Sequence, residues 1–117
     1  MINTIKHFKC SDIEYPLTFT MNVLEKIQDK YESYERWVDM TEGKEREVNI
    51  GALKFGITEM INEGIDIENE NLETKREFLT TKQVGRIITE LGIKKLTDKV
   101  QETVIESTKS NEEEKNV

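Results

Sequence analysis

The chain has 117 residues, with 17 Lys and Arg against 24 Asp and Glu, a formal net charge of −7. That length fits one small domain, and 31 Leu, Ile, Val and Phe side chains suffice for a modest core. The acidic balance excludes a phosphate-binding face and so nucleic acid, lone Cys10 and His7 exclude a disulfide framework or a self-contained zinc site, and no apolar run reaches the ~18 residues of a membrane span.

In chain order, the first signal is period two. Ile13, Tyr15, Leu17 and Phe19 alternate with Glu14, Pro16 and Thr18, the pattern of a half-buried strand. Thr4 to Cys10 is a weaker strand, with Phe8 and Cys10 on one face and Ile5 on the other. Ser11-Asp12 between them reads as a two-residue hairpin turn that sets Lys9 opposite Glu14, although the usual glycine is missing. Pro16 donates no ladder hydrogen bond and places its strand at a sheet edge. No secretory leader is expected, because the N-terminus lacks an apolar h-region.

The period then becomes helical. Thr20 is the expected N-cap of a helix burying Leu24, Ile27 and Tyr31, and Ser33 caps a second helix carrying Tyr34, Trp37 and Val38. A charged connection around Gly43 leads to the clearest stripe: Ile50, Leu53, Ile57, Met60 and Ile61, with Gly64 at the helix end. Gly51 and Gly56 fall inside this helix, where either close approach of a neighbouring backbone or simple sequence drift would explain them. Residues 65 to 79 read as a polar, acidic connection. Thr80 and Gln83 have the spacing of a capping box for a helix burying Val84, Ile87, Ile88 and Leu91, and Gly92 breaks it. Beyond Gly92, Leu96, Val100 and Val104 recur beside Ile93 as a narrow seam on a charged helix. The fold class is therefore α+β, a small N-terminal β-hairpin packed on a bundle of about five helical segments. A single domain spans residues 1–106, and the Glu-, Lys- and Asn-rich stretch 107–117 is expected to be a disordered acidic tail.

Candidate chemistry is sparse. Asp66, Glu68, Glu70 and Glu77 fall at positions 1, 3, 5 and 12 of a calcium-type loop, but Asn71 occupies the position that demands glycine and Glu73 the apolar anchor position. A solvated acidic loop is the plainer reading. Cys10 with His7 as its base fails on geometry, since strand residues three apart point to opposite faces. Pairs such as Glu45 and Glu47, or Glu113 and Glu114, have no enclosing apolar pocket to separate their pKa values. P-loop, dinucleotide, nucleophile-elbow and H-E-x-x-H motifs are absent from the sequence. No enzyme, cofactor or metal is expected.

Two features suit contact with another protein. Tyr31, Tyr34 and Trp37 cluster across a helix junction, where core packing is the first expectation and a binding hot spot the second. The thin seam of Ile93, Leu96, Val100 and Val104 suits docking on the body, a partner helix or a second copy of the chain. The residues expected to face a partner are Tyr34, Trp37, Ile93, Leu96, Val100 and Val104.

Three stretches carry a resemblance. Tyr15-Pro16-Leu17-Thr18-Phe19 runs into the Leu24/Ile27/Tyr31 helix, followed by Leu53-Lys54-Phe55-Gly56-Ile57-Thr58-Glu59-Met60-Ile61-Asn62-Glu63-Gly64 and by Leu79-Thr80-Thr81-Lys82-Gln83-Val84-Gly85. This order resembles the tail assembly chaperones of long-tailed bacteriophages and prophages of Gram-positive hosts, over roughly residues 3 to 105. The resemblance implies a protein that acts in the host bacterial cytoplasm and is not in the mature virion. It would bind the tape-measure protein, hold that helical chain soluble and help tail-tube protein assemble around it. In many such systems a frameshift adds a second domain that recruits tube subunits. The family supplies no catalytic residues and no residue-level binding motif for this sequence. A structural phage subunit, or a small acidic regulatory adaptor binding a basic protein, would fit the same composition.

Overall fold

The computed structural model describes residues 5–115, and side chains as far as Thr108. Thr4, the expected start of the first strand, and residues 116–117 of the expected tail lie outside the described residues. Within them the order is β1 (Ile5–Cys10), β2 (Ile13–Thr18), α1 (Met21–Tyr31), α2 (Tyr34–Thr41), α3 (Ile50–Asn69), α4 (Thr81–Leu91) and α5 (Ile93–Lys115). The α+β class stands: one antiparallel hairpin and five helices.

The hairpin closes with the expected two-residue loop, pairing Cys10 with Ile13 and Lys9 with Glu14. Ser11 and Asp12 both take positive φ, 52° and 66°, as the tight mirror-image turns of hairpins require. A serine holds a position that favours Asn or Gly because its hydroxyl is in use, donating to Glu90 at 2.8 Å.

The strand reading needs one correction. Alternation predicted a half-buried β2, yet Pro16, Leu17 and Thr18 are all buried. Both α3 and α5 pack on this strand, so neither face of its second half is wet. Ile13, next to the turn, is left exposed.

Caps fix the helix starts. Thr20, Ser33, Asn49 and Thr80 each accept a hydrogen bond from the backbone N–H three residues on, and Thr80 with Gln83 completes the reciprocal capping box. At the C-terminal end of α3 the sequence reading fails. Gly64 does not stop the helix, which continues through five residues that had been assigned to the connection. Ile65 extends the buried stripe, and Gly64 is interior because Pro16 packs on it: a Cβ there would lie 2.8 Å from the Pro16 Cβ. Helix α3 is thus the central post, touched by β2, α1, α2 and α4.

The stretch from residue 107, expected to be a tail, starts inside the last helix. Helix α5 runs on to Lys115, and Ser107 is buried. The contact face is Leu96, Val100, Thr103 and Ser107, a spacing of four, three and four that includes two polar residues and therefore escaped a search for apolar ones. Good intrinsic helix formers, Glu and Lys, then continue the helix.

Candidate functional site

Of the six residues expected to face a partner, the structure gathers Tyr34, Trp37 and Val100 around one small cleft, and Ile93 lies at another. Trp37, Leu96 and Val100 belong to the protein's own core, each no more than 5% exposed. Most of their surface is spent on internal packing, although Trp37 and Val100 still line a small cleft of about 60 Å³ together with Tyr34. The Trp37 Nε1 donates to the Ala52 carbonyl at 2.8 Å, so its polar edge is satisfied internally. Tyr34 is half-buried, edge-on to Phe19 with ring centroids 5.5 Å apart and tilted against Trp37 at 6.1 Å. Burial, then the Glu35 carboxylate, pushes its phenol up. Val104 is also partly buried. Of the six, only Ile93 stands out into solvent.

The seam is consumed because α5 folds back along the hairpin. Lys6 on β1 reaches Glu106 at 2.7 Å and Glu102 at 3.4 Å, pinning the helix from its exposed side. The Glu106 hydrogen bond is the main reason that the Lys6 ammonium is raised above its usual range, with burial opposing and Glu102 adding.

Ile93 opens a different site. Gly92, at φ 95°, ends α4 and lets α5 begin at the next residue, its N–H donating to Ile88 O at 2.8 Å and its carbonyl accepting from Leu96 N at 3.3 Å. Across from it, the Asn49 cap makes Ile50 the first residue of α3. Between them lies an open cleft of about 460 Å³ lined by Ile50, Lys54, Gly85, Ile88, Gly92 and Ile93. Ile88 is buried at its base, while Ile50 and Ile93 are 46% and 38% exposed. Two glycines line it: a Cβ on Gly92 would meet nothing within 4 Å, and one on Gly85 would meet the Lys54 stem at 3.3 Å. The cleft offers methyl groups, the Thr89 side chain, whose hydroxyl is spent on Gly85 O, and one long cationic side chain, which suits apolar contact with the surface of another protein.

Ile50 keeps step with the Leu53/Ile57 stripe, a spacing that predicts a core residue. The signal against that reading was local: a residue directly after an N-cap lies on the first turn, before the helix has entered the core. Met21, directly after Thr20, is exposed for the same positional reason.

The other candidates resolve into structural roles. Asp66 and Glu68 lie on α3, not in a loop, and Glu68 accepts from the His7 ring at 2.7 Å. Lys75 turns its ammonium onto the Asn69 and Leu72 carbonyls at the end of that helix. Among the described residues no group of three His, Cys, Asp or Glu is arranged to hold a metal ion. Cys10 and His7 separate as expected, His7 toward α3 and Cys10 toward α4. The Cys10 thiol donates to Glu90 at 2.5 Å. Burial first, then Glu90, pushes the thiol up, while Cys10 and Ser11 hold the Glu90 carboxyl down. The proton is held on sulfur, the reverse of what a nucleophile needs.

No helix among the described residues is long and apolar enough to cross a membrane. Comparison with protein-family models, curated proteins and solved structures gave no match to this chain.

Proposed function

We propose that this protein is a tail assembly chaperone of a long-tailed bacteriophage or prophage, which binds the tape-measure protein and helps tail-tube assembly by protein–protein contact in the host cytoplasm. The observation that carries the reading is the Ile50–Ile93 cleft: exposed branched apolar side chains on a strongly acidic chain. A holding protein needs apolar surface for its client and a like-charged exterior that resists self-precipitation. An amphipathic client helix can lay its apolar face across Ile50 and Ile93 in the helix-in-groove manner. Micromolar affinity, about −8 kcal/mol, would hold the client yet let tube subunits displace the chaperone. The order of the strand, the Leu53–Gly64 stretch and the Leu79–Gly85 stretch supports the family reading, and the cleft is the surface we assign to the client.

Co-expression with the tape-measure reading frame tests this. The client should become soluble and co-purify, Ile50→Asp with Ile93→Asp should abolish both effects, and mass spectrometry of purified particles should find none of this chain. A client that stays insoluble and unbound, or particles that contain the chain, would refute the proposal.

A further inference from the structure

A second surface lies on the other side of α3, and the Ile50–Ile93 cleft takes no part in it. Two open clefts of about 300 Å³ each meet there along Asn22, Glu63 and Asp66. Met21 flanks one and Phe78 the other, and these side chains are 54% and 55% exposed, with Val23 buried between α1 and α3.

Phe78 is not on a loose loop. Asn62 takes both backbone groups of Leu79, donating to its carbonyl at 2.9 Å and accepting from its N–H at 2.8 Å. Asn69, seven residues further along α3, does the same for Arg76, at 3.0 Å each way. The backbone on either side of Phe78 is thus clamped to α3, which fixes where its exposed side chain leaves the chain. Such preorganisation lowers the ordering cost of binding.

The charge of this groove selects its occupant. Glu59, Glu63 and Asp66 on α3 and Glu70 at its C-cap follow one another along the lining face at spacings of four, three and four. Among the described residues no ion pair engages any of them; Glu63 instead accepts from Thr20 and, at 3.0 Å, from Asn22. Like charges at this spacing repel, and Asp66 and Glu70 sit at the helix end where the macrodipole disfavours anions. Lys26 on α1 is the cation that lines the groove, while Lys75 is occupied with the carbonyls of Asn69, the last residue of α3, and Leu72 beyond it. An acidic row flanked by two exposed apolar side chains is complementary to a helix with a Leu-type stripe beside Lys or Arg. We infer that the Met21–Phe78 groove is a docking site for a cationic amphipathic helix of a partner protein.

The probe is a synthetic amphipathic helix with leucine in a heptad stripe and lysine elsewhere, compared with a glutamate counterpart of equal length. Fluorescence anisotropy should show the lysine peptide binding and the glutamate peptide not binding. Binding should weaken at least about tenfold when salt rises from about 0.05 M to about 0.5 M. Phe78→Ser and Met21→Ser should each weaken it about tenfold, as anchors do. Glu59→Gln with Asp66→Asn should flatten the salt dependence, and Ile50→Asp with Ile93→Asp should leave binding unchanged, which separates this site from the apolar cleft. Equal binding of both peptides, or unchanged binding by the Phe78 and charge variants, would overturn the inference. So would concentration-dependent self-association that Phe78→Ser abolishes, which would assign the groove to a second copy.

Discussion

The indole of Trp37 fills the space that a Cβ on Gly56 would need: that atom would stand 2.2 Å from Trp37 Cζ2 and 2.7 Å from Cε2. Two elements of modest length, α2 and the N-terminal half of α3, are brought to minimum separation by a residue with no side chain. Gly56→Ala gains intrinsic helix propensity of up to about 1 kcal/mol but must displace a buried, hydrogen-bonded ring. A net loss of about 1–3 kcal/mol in urea unfolding is expected. Gly51, on the same helix, has only Asn49 Oδ1 at 3.4 Å from its missing Cβ. Gly51→Ala should therefore be neutral or stabilising by up to about 1 kcal/mol, giving opposite signs at two glycines five residues apart.

The asparagine clamps predict a local rather than a global phenotype. Asn62→Ala leaves both backbone groups of Leu79 without their partner, at a cost of about 1–3 kcal/mol for partly buried amides. The connection between α3 and α4 carries Lys75 and Arg76, both trypsin sites. Limited trypsin digestion should cut there faster in Asn62→Ala than in the native chain. Asn62→Asp keeps the acceptor for Leu79 N–H but loses the donor and adds a charge to an acidic face, so it should not rescue.

The Cys10–Glu90 contact sets two limits on pH. The thiol is raised above its ordinary 9.0, so its contribution is complete below that value and is lost as pH climbs through it toward the folded-state value. The carboxyl is lowered below its ordinary 4.5, so its contribution is present above that value and is lost as pH falls through it toward the folded-state value. Between about 4.5 and about 9.0 the pair is at full strength. At a mildly alkaline pH, alkylation of Cys10 by iodoacetamide should be at least about tenfold slower in the native chain than in urea, because only the thiolate reacts. Glu90→Gln removes one of the two causes that keep the proton on sulfur, so native alkylation should speed up while remaining slower than in the unfolded chain. Equal rates in native and unfolded protein would refute the assignment.

What could be read in advance followed from local physics. The two-residue turn, the Lys9–Glu14 pairing, the caps at Thr20, Ser33 and Thr80, and the break at Gly92 depend on neighbours within a few positions. The errors came where distant parts of the chain meet. Gly64 resembles a helix stop, and only its contact with Pro16, 48 residues earlier, shows why it lies inside one. The Leu96 and Val100 seam is apolar enough for a partner, and only the path of α5 along the hairpin shows that it is already occupied. Ile93 was legible as an exposed apolar residue. Its cleft was not, because Ile50, Gly85 and Ile88 reach it from elements far apart in sequence. Met21 and Phe78 carried no periodic signal at all, since one sits on the first turn of a helix and the other in a connection.

The last expectation concerns the residue at which the sequence reading placed the end of order. Ser107 is only 2% exposed, and its Oγ has no hydrogen-bond partner among the described residues. It continues the Leu96–Val100–Thr103 contact face of α5, whereas Thr103 satisfies its hydroxyl by donating to Lys99 O at 2.8 Å. An unpaired buried hydroxyl costs about 1–3 kcal/mol, and serine is also a weaker helix former than alanine. Ser107→Ala should therefore raise stability by about 1 kcal/mol in urea unfolding, with the m-value unchanged. Thr103→Ala should act in the opposite direction, because it removes a buried methyl group from the same face. If α5 were frayed from residue 107 onward, Ser107→Ala would change only an exposed side chain and the midpoint would stay within about 0.5 kcal/mol of the native value. Unfolding curves of the two variants, compared with the native chain, therefore decide whether the last turns of α5 belong to the folded body or merely extend from it.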